Sequence, residues 1–184
     1  MKTLLFIIAT SLFGYGLSSQ SVPGGGRGPK FSSTYTDLKT QCKPAAAGEA
    51  PEGDDMPLRC EGYGGYEVRI DFSAASSHLR ILPTGHDAED SIDLAAQPLN
   101  YDAKRKIEWR LADGKPFAVI FRVDQSTDEV DPAERWRPEN KRGVALLVKG
   151  LKGYEHIDFA VDARGRDANA QARDVADRAY LKGR

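Results

Sequence analysis

The stretch from Lys106 to Val123, KIEWRLADGKPFAVIFRV, constrains the fold of this chain more than any other. Ile107, Trp109 and Leu111 alternate with Lys106, Glu108 and Arg110, the period of a half-buried β-strand. After Asp113-Gly114-Lys115-Pro116, a second arm sets Phe117, Val119, Phe121 and Val123 on one face, so the stretch predicts a hairpin. A two-residue turn at Asp113-Gly114 would bring Trp109 opposite Ala118 and Arg110 opposite Phe117, mixing a charge into the apolar face. One more loop residue pairs Leu111 with Phe117, Trp109 with Val119 and Ile107 with Phe121. A one-residue slip reverses every side chain, so the longer loop is expected, with Gly114 at or near a left-handed bulge position and Pro116 at the loop edge. Ala118 and Ile120 give the second arm another apolar face, which predicts an interior strand covered on both sides.

The rest of the chain supplies candidates for those two covers. Residues 1–19 read as a signal peptide, with Lys2 before an apolar run from Leu4 to Leu17 that is too short to span a membrane. Small residues at Gly16/Ser18 and Ser19/Ser21 allow more than one cut. Residues 20–32 contain VPGGGRGPK and read as a flexible Gly/Pro-rich leader, and residues 33–184 as one β-rich domain. Losing Lys2 with the signal changes the formal charge from -1 to -2, leaving 25 basic against 27 acidic residues. Such a balance argues against a general nucleic-acid or anionic-membrane binder, and no membrane anchor is expected after cleavage.

Thr34 to Gln41 reads as a first strand ending at Cys42, and the only other cysteine is Cys60. In an exported chain two cysteines predict a disulfide, worth roughly 3 kcal/mol by loop entropy. A metal thiolate pair or a nucleophilic thiol lacks the Cys-x-x-Cys spacing or second ligand cluster that would support it. Tyr66, Val68, Ile70 and Phe72 alternate, and Leu79 to Leu82 forms an apolar run after a Ser/Ala turn, which predicts a second hairpin. Gly62, Gly64 and Gly65 around Tyr63 mark a bulge or a close backbone approach; the functional alternative makes Tyr63 and Tyr66 a stacking platform. His86, Asp87, Glu89, Asp90 and Asp93 match neither a zinc nor an EF-hand spacing and read as a solvated acidic loop, followed by a short edge strand from Ile92 to Leu99.

Asp124 to Arg142 is a polar connection of 19 residues. Within it Arg135, Trp136 and Arg137 are residue types enriched at binding hot spots, so they form a candidate partner-binding surface with Tyr63 and Tyr66. The alternative folds Trp136 onto the core rim with its arginines in water. Gly143 to Lys149 and His156 to Val161 predict two more strands, with His156 in a strand position. Ala168, Ala172, Val175, Ala176 and Ala179 share one helical face behind a capping Asp167, so a C-terminal helix is expected over the face bearing Ala118 and Ile120. Arg173, Asp174, Asp177 and Arg178 would then point to solvent.

These elements predict an α+β fold: mainly antiparallel sheet of about six to eight strands in a sandwich or half-barrel, one C-terminal α-helix packed on it, and one disulfide. The segments YTDLK, Cys42, CEGYGGYEV, IEWRLADGKPFAVIFRV, LLVKG and DANAQARDVADRA, in that order, resemble a group of small, uncharacterised exported bacterial proteins. The resemblance covers Tyr35 to Ala179 and implies the same fold and an envelope location; it carries over no catalytic residue. In that group a further cysteine pair often brackets the C-terminal helix. Here His156 stands where one would be expected and no cysteine follows Cys60, so the helix is expected to be held by packing alone.

No catalytic residues, metal ligands or cofactor are assigned. His78, His86 and His156 lie in different segments, and no serine or cysteine stands in a motif that would pair with one. The expectation is therefore a non-catalytic, periplasmic or secreted binding module whose partner is a protein or glycan of the cell envelope. An envelope hydrolase using carboxylates, or a structural or stress-related periplasmic protein, are the alternatives.

Overall fold

A computed structural model describes residues 28–46, 57–73, 76–86, 90–98, 105–127, 130–131 and 133–183. The expected signal peptide and most of the leader lie outside them. Among the described residues the chain forms ten strands and one α-helix. The strands are β1 (Phe31–Asp37), β2 (Cys42–Pro44), β3 (Leu58–Glu61), β4 (Tyr66–Phe72), β5 (Ser76–Pro83), β6 (Ile92–Pro98), β7 (Lys106–Ala112), β8 (Lys115–Ser126), β9 (Lys141–Gly150) and β10 (Asp158–Asp162); the helix α1 spans Ala168–Lys182. They make two antiparallel five-stranded sheets, β1-β7-β8-β9-β10 and β2-β3-β4-β5-β6. The α+β sandwich with a C-terminal helix is as expected, with more strands than the six to eight anticipated.

After β1 the chain crosses to the second sheet, builds it as a meander, and returns to complete the first. The interior between the sheets takes one side of each strand: Val68, Ile70, Leu79 and Ile81 from one sheet meet Ile107, Trp109, Val119 and Phe121 from the other. These are fully buried, and each such side chain contributes about 1.5–3 kcal/mol by leaving water. Trp109 carries a polar group into this layer, and its Nε1 donates to Thr36 Oγ1 at 2.9 Å, whose hydroxyl donates to the Glu61 carbonyl at 2.8 Å. The relay satisfies the indole and joins the two sheets.

The hairpin departs from its expectation in an instructive way. Ile107 pairs with Phe121 and Trp109 with Val119 as predicted, but Leu111 faces Pro116 and Ala112 faces Lys115. The turn is thus the two-residue Asp113-Gly114, both at positive φ (50° and 79°), as a type I′ turn requires. A bulge beside Leu111 inserts the extra residue within β8, so the tight turn and the apolar register coexist. The consequence is that Phe117 leaves the Val119 face and packs on the helix side with Ala118 and Ile120.

That second face is covered by α1 through Ala168, Ala172, Ala176 and Ala179, as the alanine spacing predicted, with Val175 only half-buried. Tyr180 closes the layer against Phe117, ring centroids 4.7 Å apart, and Phe31 packs edge-on to Tyr180 at 5.6 Å. Phe31 therefore belongs to the fold: β1 starts two residues before the expected boundary and ends at Asp37, before the expected Gln41. Asp167 holds the N-cap position without a side-chain cap bond; its carboxylate accepts from Gln171 Nε2 instead. His156 lies in the turn before β10 rather than in a strand, and its Nε2 donates to the Ala179 carbonyl at 3.2 Å. Cys42 and Cys60 are directly opposed on β2 and β3 and form the expected disulfide.

Candidate functional site

The polar residues of β7 are the main surprise. Glu108 and Arg110 share a face with Ala112, and since Glu108 pairs with Ile120 and Arg110 with Ala118, they lie on the face that α1 covers. Both are buried, so β7 is covered on both sides rather than half-buried. Buried charges need partners. Arg110 Nε donates to Asp177 Oδ1 at 2.7 Å, its Nη2 donates to Asp177 Oδ2, and its guanidinium lies over the Phe31 ring at 5.6 Å. Arg173 donates to both Glu108 oxygens, at 2.6 and 3.1 Å, and Ser33 Oγ donates to Glu108 as well. Its hydrogen bonds to the Glu108 carboxylate raise the Arg173 guanidinium above its ordinary value. Arg173 and Asp177 were expected in solvent; they instead clamp α1 to the sheet, which is therefore not held by apolar packing alone. Asp174 and Arg178 do face solvent, as an exposed i,i+4 pair.

Beyond the N-terminal end of α1 the same sheet face continues uncovered, as a groove of about 570 Å³. Ile120, Val144 and Leu146 form its floor, and Tyr35, Asn169 and Arg173 stand on its rim. Its charged lining is Arg105, Lys106, Arg122 and Arg173 against Glu108 and Asp124. Three of these cations have carboxylate partners: Arg105 with Asp124 at 2.6 Å, Lys106 with Asp37 at 3.5 Å and Arg173 with Glu108. Arg122 is half-buried and donates from Nη1 to the Ala163 carbonyl at 3.2 Å. No carboxylate pairs with it among the described residues.

The sequence-predicted contact residues fall in two separate places. Tyr66 begins β4 opposite Pro83, while Ser76, which takes the Trp136 hydrogen bond, lies at the opposite end of the β4-β5 hairpin. Seven residue steps along β5, from Ser76 to Pro83, separate those ends by about 23 Å. Trp136 is half-buried, with its Nε1 3.2 Å from Ser76 Oγ. Arg137 is exposed and paired with Glu134 at 2.6 Å. Arg135 is half-buried, with an Nε that finds no hydrogen-bond partner among the described residues. Tyr63 is exposed, whereas Tyr66 leans on Trp109 with ring centroids 6.1 Å apart, and burial raises its phenol. Tyr66 also borders a second groove of about 520 Å³ beside the disulfide, with Lys43, Arg59 and Glu67.

The glycines before β4 serve close approach: a Cβ on Gly62 would sit 2.1 Å from the Tyr66 carbonyl oxygen, and one on Gly64 2.6 Å from the Pro116 ring. In the acidic segment, Asp87 and Glu89 lie outside the described residues, and Asp90 accepts from His86 Nδ1 at 2.9 Å, a bond that lowers its carboxyl with help from Lys152.

The groove was missed because its residues are scattered through five elements. A signal was nonetheless present: a helix laid over Ala118 and Ile120 must, by strand pairing, also cover Arg110 and Glu108, which then require charged partners from the helix.

Fold and groove together define a disulfide-bonded, two-sheet β-sandwich with a helix on one outer face and a groove lined by four cations and two carboxylates beside it. Comparison with protein-family models, with curated proteins and with solved structures gives no match.

Proposed function

We propose that this is a non-catalytic, exported binding module of the cell envelope, and that its ligand occupies the groove between Arg122 and the N-terminal end of α1. The observation that carries the reading is the groove itself: an apolar floor walled by side chains already fixed in ion pairs, which lowers the ordering cost of binding. Glu108 and Asp124 each have an arginine partner, an arrangement suited to holding shape rather than to moving protons. The disulfide supports an oxidising compartment, periplasmic or extracellular. Among the described residues no helix is long and apolar enough to cross a membrane.

The test is photo-crosslinking in intact cells with a benzophenone amino acid at Asn169, on the groove rim, or at Arg137, in the Trp136 loop, followed by pull-down and fractionation. Capture from Asn169 in the envelope fraction is expected. Capture from Arg137 alone would move the site to the loop, and no capture from either would remove the binding reading.

A further inference from the structure

The ligand class can be read from the charge arrangement, and this step rests on the groove being the binding site. Arg105, Lys106 and Arg173 have carboxylates within ion-pairing distance, so their charge is largely spent within the protein. Arg122 is different. It follows Phe121 on β8 and reaches the helix side of the sheet, where its described partner is the neutral carbonyl of Ala163. A guanidinium has five donors, and one carbonyl leaves most of that fork available. It is also partly withdrawn from water, with the positive end of α1 beside it. Asp167 at that helix end is engaged by Gln171 and does not line the groove. A guanidinium held there without a carboxylate is unfavourable in the free protein, and the cost is relieved once an anion is present.

We propose that the groove binds a small ligand through an oxyanion, a carboxylate or a phosphate, held by the Arg122 guanidinium with the Tyr35 hydroxyl and Asn169 in reach, its apolar part lying on Ile120, Val144 and Leu146. The fork geometry suits two parallel hydrogen bonds to such a group. The floor favours an acid with a short apolar body over a bare ion, and the volume admits a molecule of about amino-acid to dipeptide size.

Calorimetric titration of the whole protein at low salt separates the cases, using N-acetyl-leucine as the apolar carboxylate, N-acetyl-leucinamide as its neutral twin and inorganic phosphate as the bare oxyanion. Saturable binding of N-acetyl-leucine or phosphate, no binding of the amide, and weakening as salt rises are expected. Arg122→Gln should lower the affinity at least tenfold, while Arg178→Gln, in the solvated pair on α1, leaves it unchanged. Nuclear magnetic resonance shifts in the unmutated protein, concentrated at Arg122, Ala163 and Asn169, provide a readout that does not depend on a variant folding. Binding of N-acetyl-leucine alone identifies the carboxylate source, and of phosphate alone the phosphate source. Absence of saturable binding by either anion, equal binding of the amide, or undiminished binding by Arg122→Gln would overturn the proposal. Capture in cells of an uncharged ligand from Asn169 would leave the binding reading standing and remove this one.

Discussion

At the scale of single residues, the buried charges of β7 decide more than their number suggests. Arg110 and Asp177 are mostly withdrawn from water, so removing one partner strands the other. Arg110→Met is expected to cost about 3 kcal/mol in urea unfolding, and adding Asp177→Leu to recover most of it, because replacing both charges restores an apolar contact beside Phe31. Gly62→Ala should cost about 1–3 kcal/mol, since its Cβ meets backbone rather than a movable side chain. Asp162 offers a check on exposed electrostatics. Its hydrogen bonds with Arg164 hold its carboxyl down at about 2, from an ordinary 3.8. A depressed carboxylate favours the folded form above its unfolded value, and that contribution disappears as pH falls from about 4 through 2. A resonance titration of Asp162 should therefore show a midpoint near 2, moving up towards 3.8 in Arg164→Ala.

At the scale of elements, the β7-β8 hairpin shows how a correct physical argument can reach an incomplete structure. Excluding charge from the interior required Trp109 opposite Val119, and that pairing is present. With two regular strands that pairing is incompatible with a two-residue turn. A bulge absorbs one residue, Asp113-Gly114 becomes the turn, and Phe117 changes sides. Asp113 is also bonded to Lys30 in both directions, its N–H donating to the Lys30 carbonyl at 3.0 Å and its Oδ1 accepting from the Lys30 N–H at 2.8 Å. Asp113→Val, which adds about 1–2 kcal/mol of left-handed strain to the loss of the Oδ1 bond, is accordingly predicted to lower stability more than Asp113→Gly, which loses the bond without the strain; urea midpoints compare the two. The disulfide closes a separation of 18 residues between β2 and β3, so a Cys42→Ser/Cys60→Ser variant should lose about 3 kcal/mol. Free thiols in unreduced, denatured protein would contradict the bond directly.

At the scale of the whole molecule, α1 has two roles: it covers part of the outer sheet face, and by starting at Ala168 it leaves the groove open beside its N-terminal end. Ending the chain before Ala168 should expose Phe117, Ile120 and Val148 together and yield a protein that binds hydrophobic dyes or aggregates. Strand alternation, the alanine stripe and the cysteine pair were legible in the sequence because they are periodic or paired, and they sufficed for a disulfide-stapled antiparallel sandwich with a helix on it. The location of Trp136 against Ser76, the distance between that loop and Tyr66, and the clamp of Arg173 and Asp177 on β7 were not legible, because each depends on which strand lies beside which. The groove belongs with them: of its four lining cations, Arg122 is the one with no carboxylate partner among the described residues, a property of three-dimensional proximity that no local pattern encodes. Local chemistry determined which residues must be inside. Only the tertiary structure decided which charges were buried with partners and which cation of the groove was left without a carboxylate among the described residues.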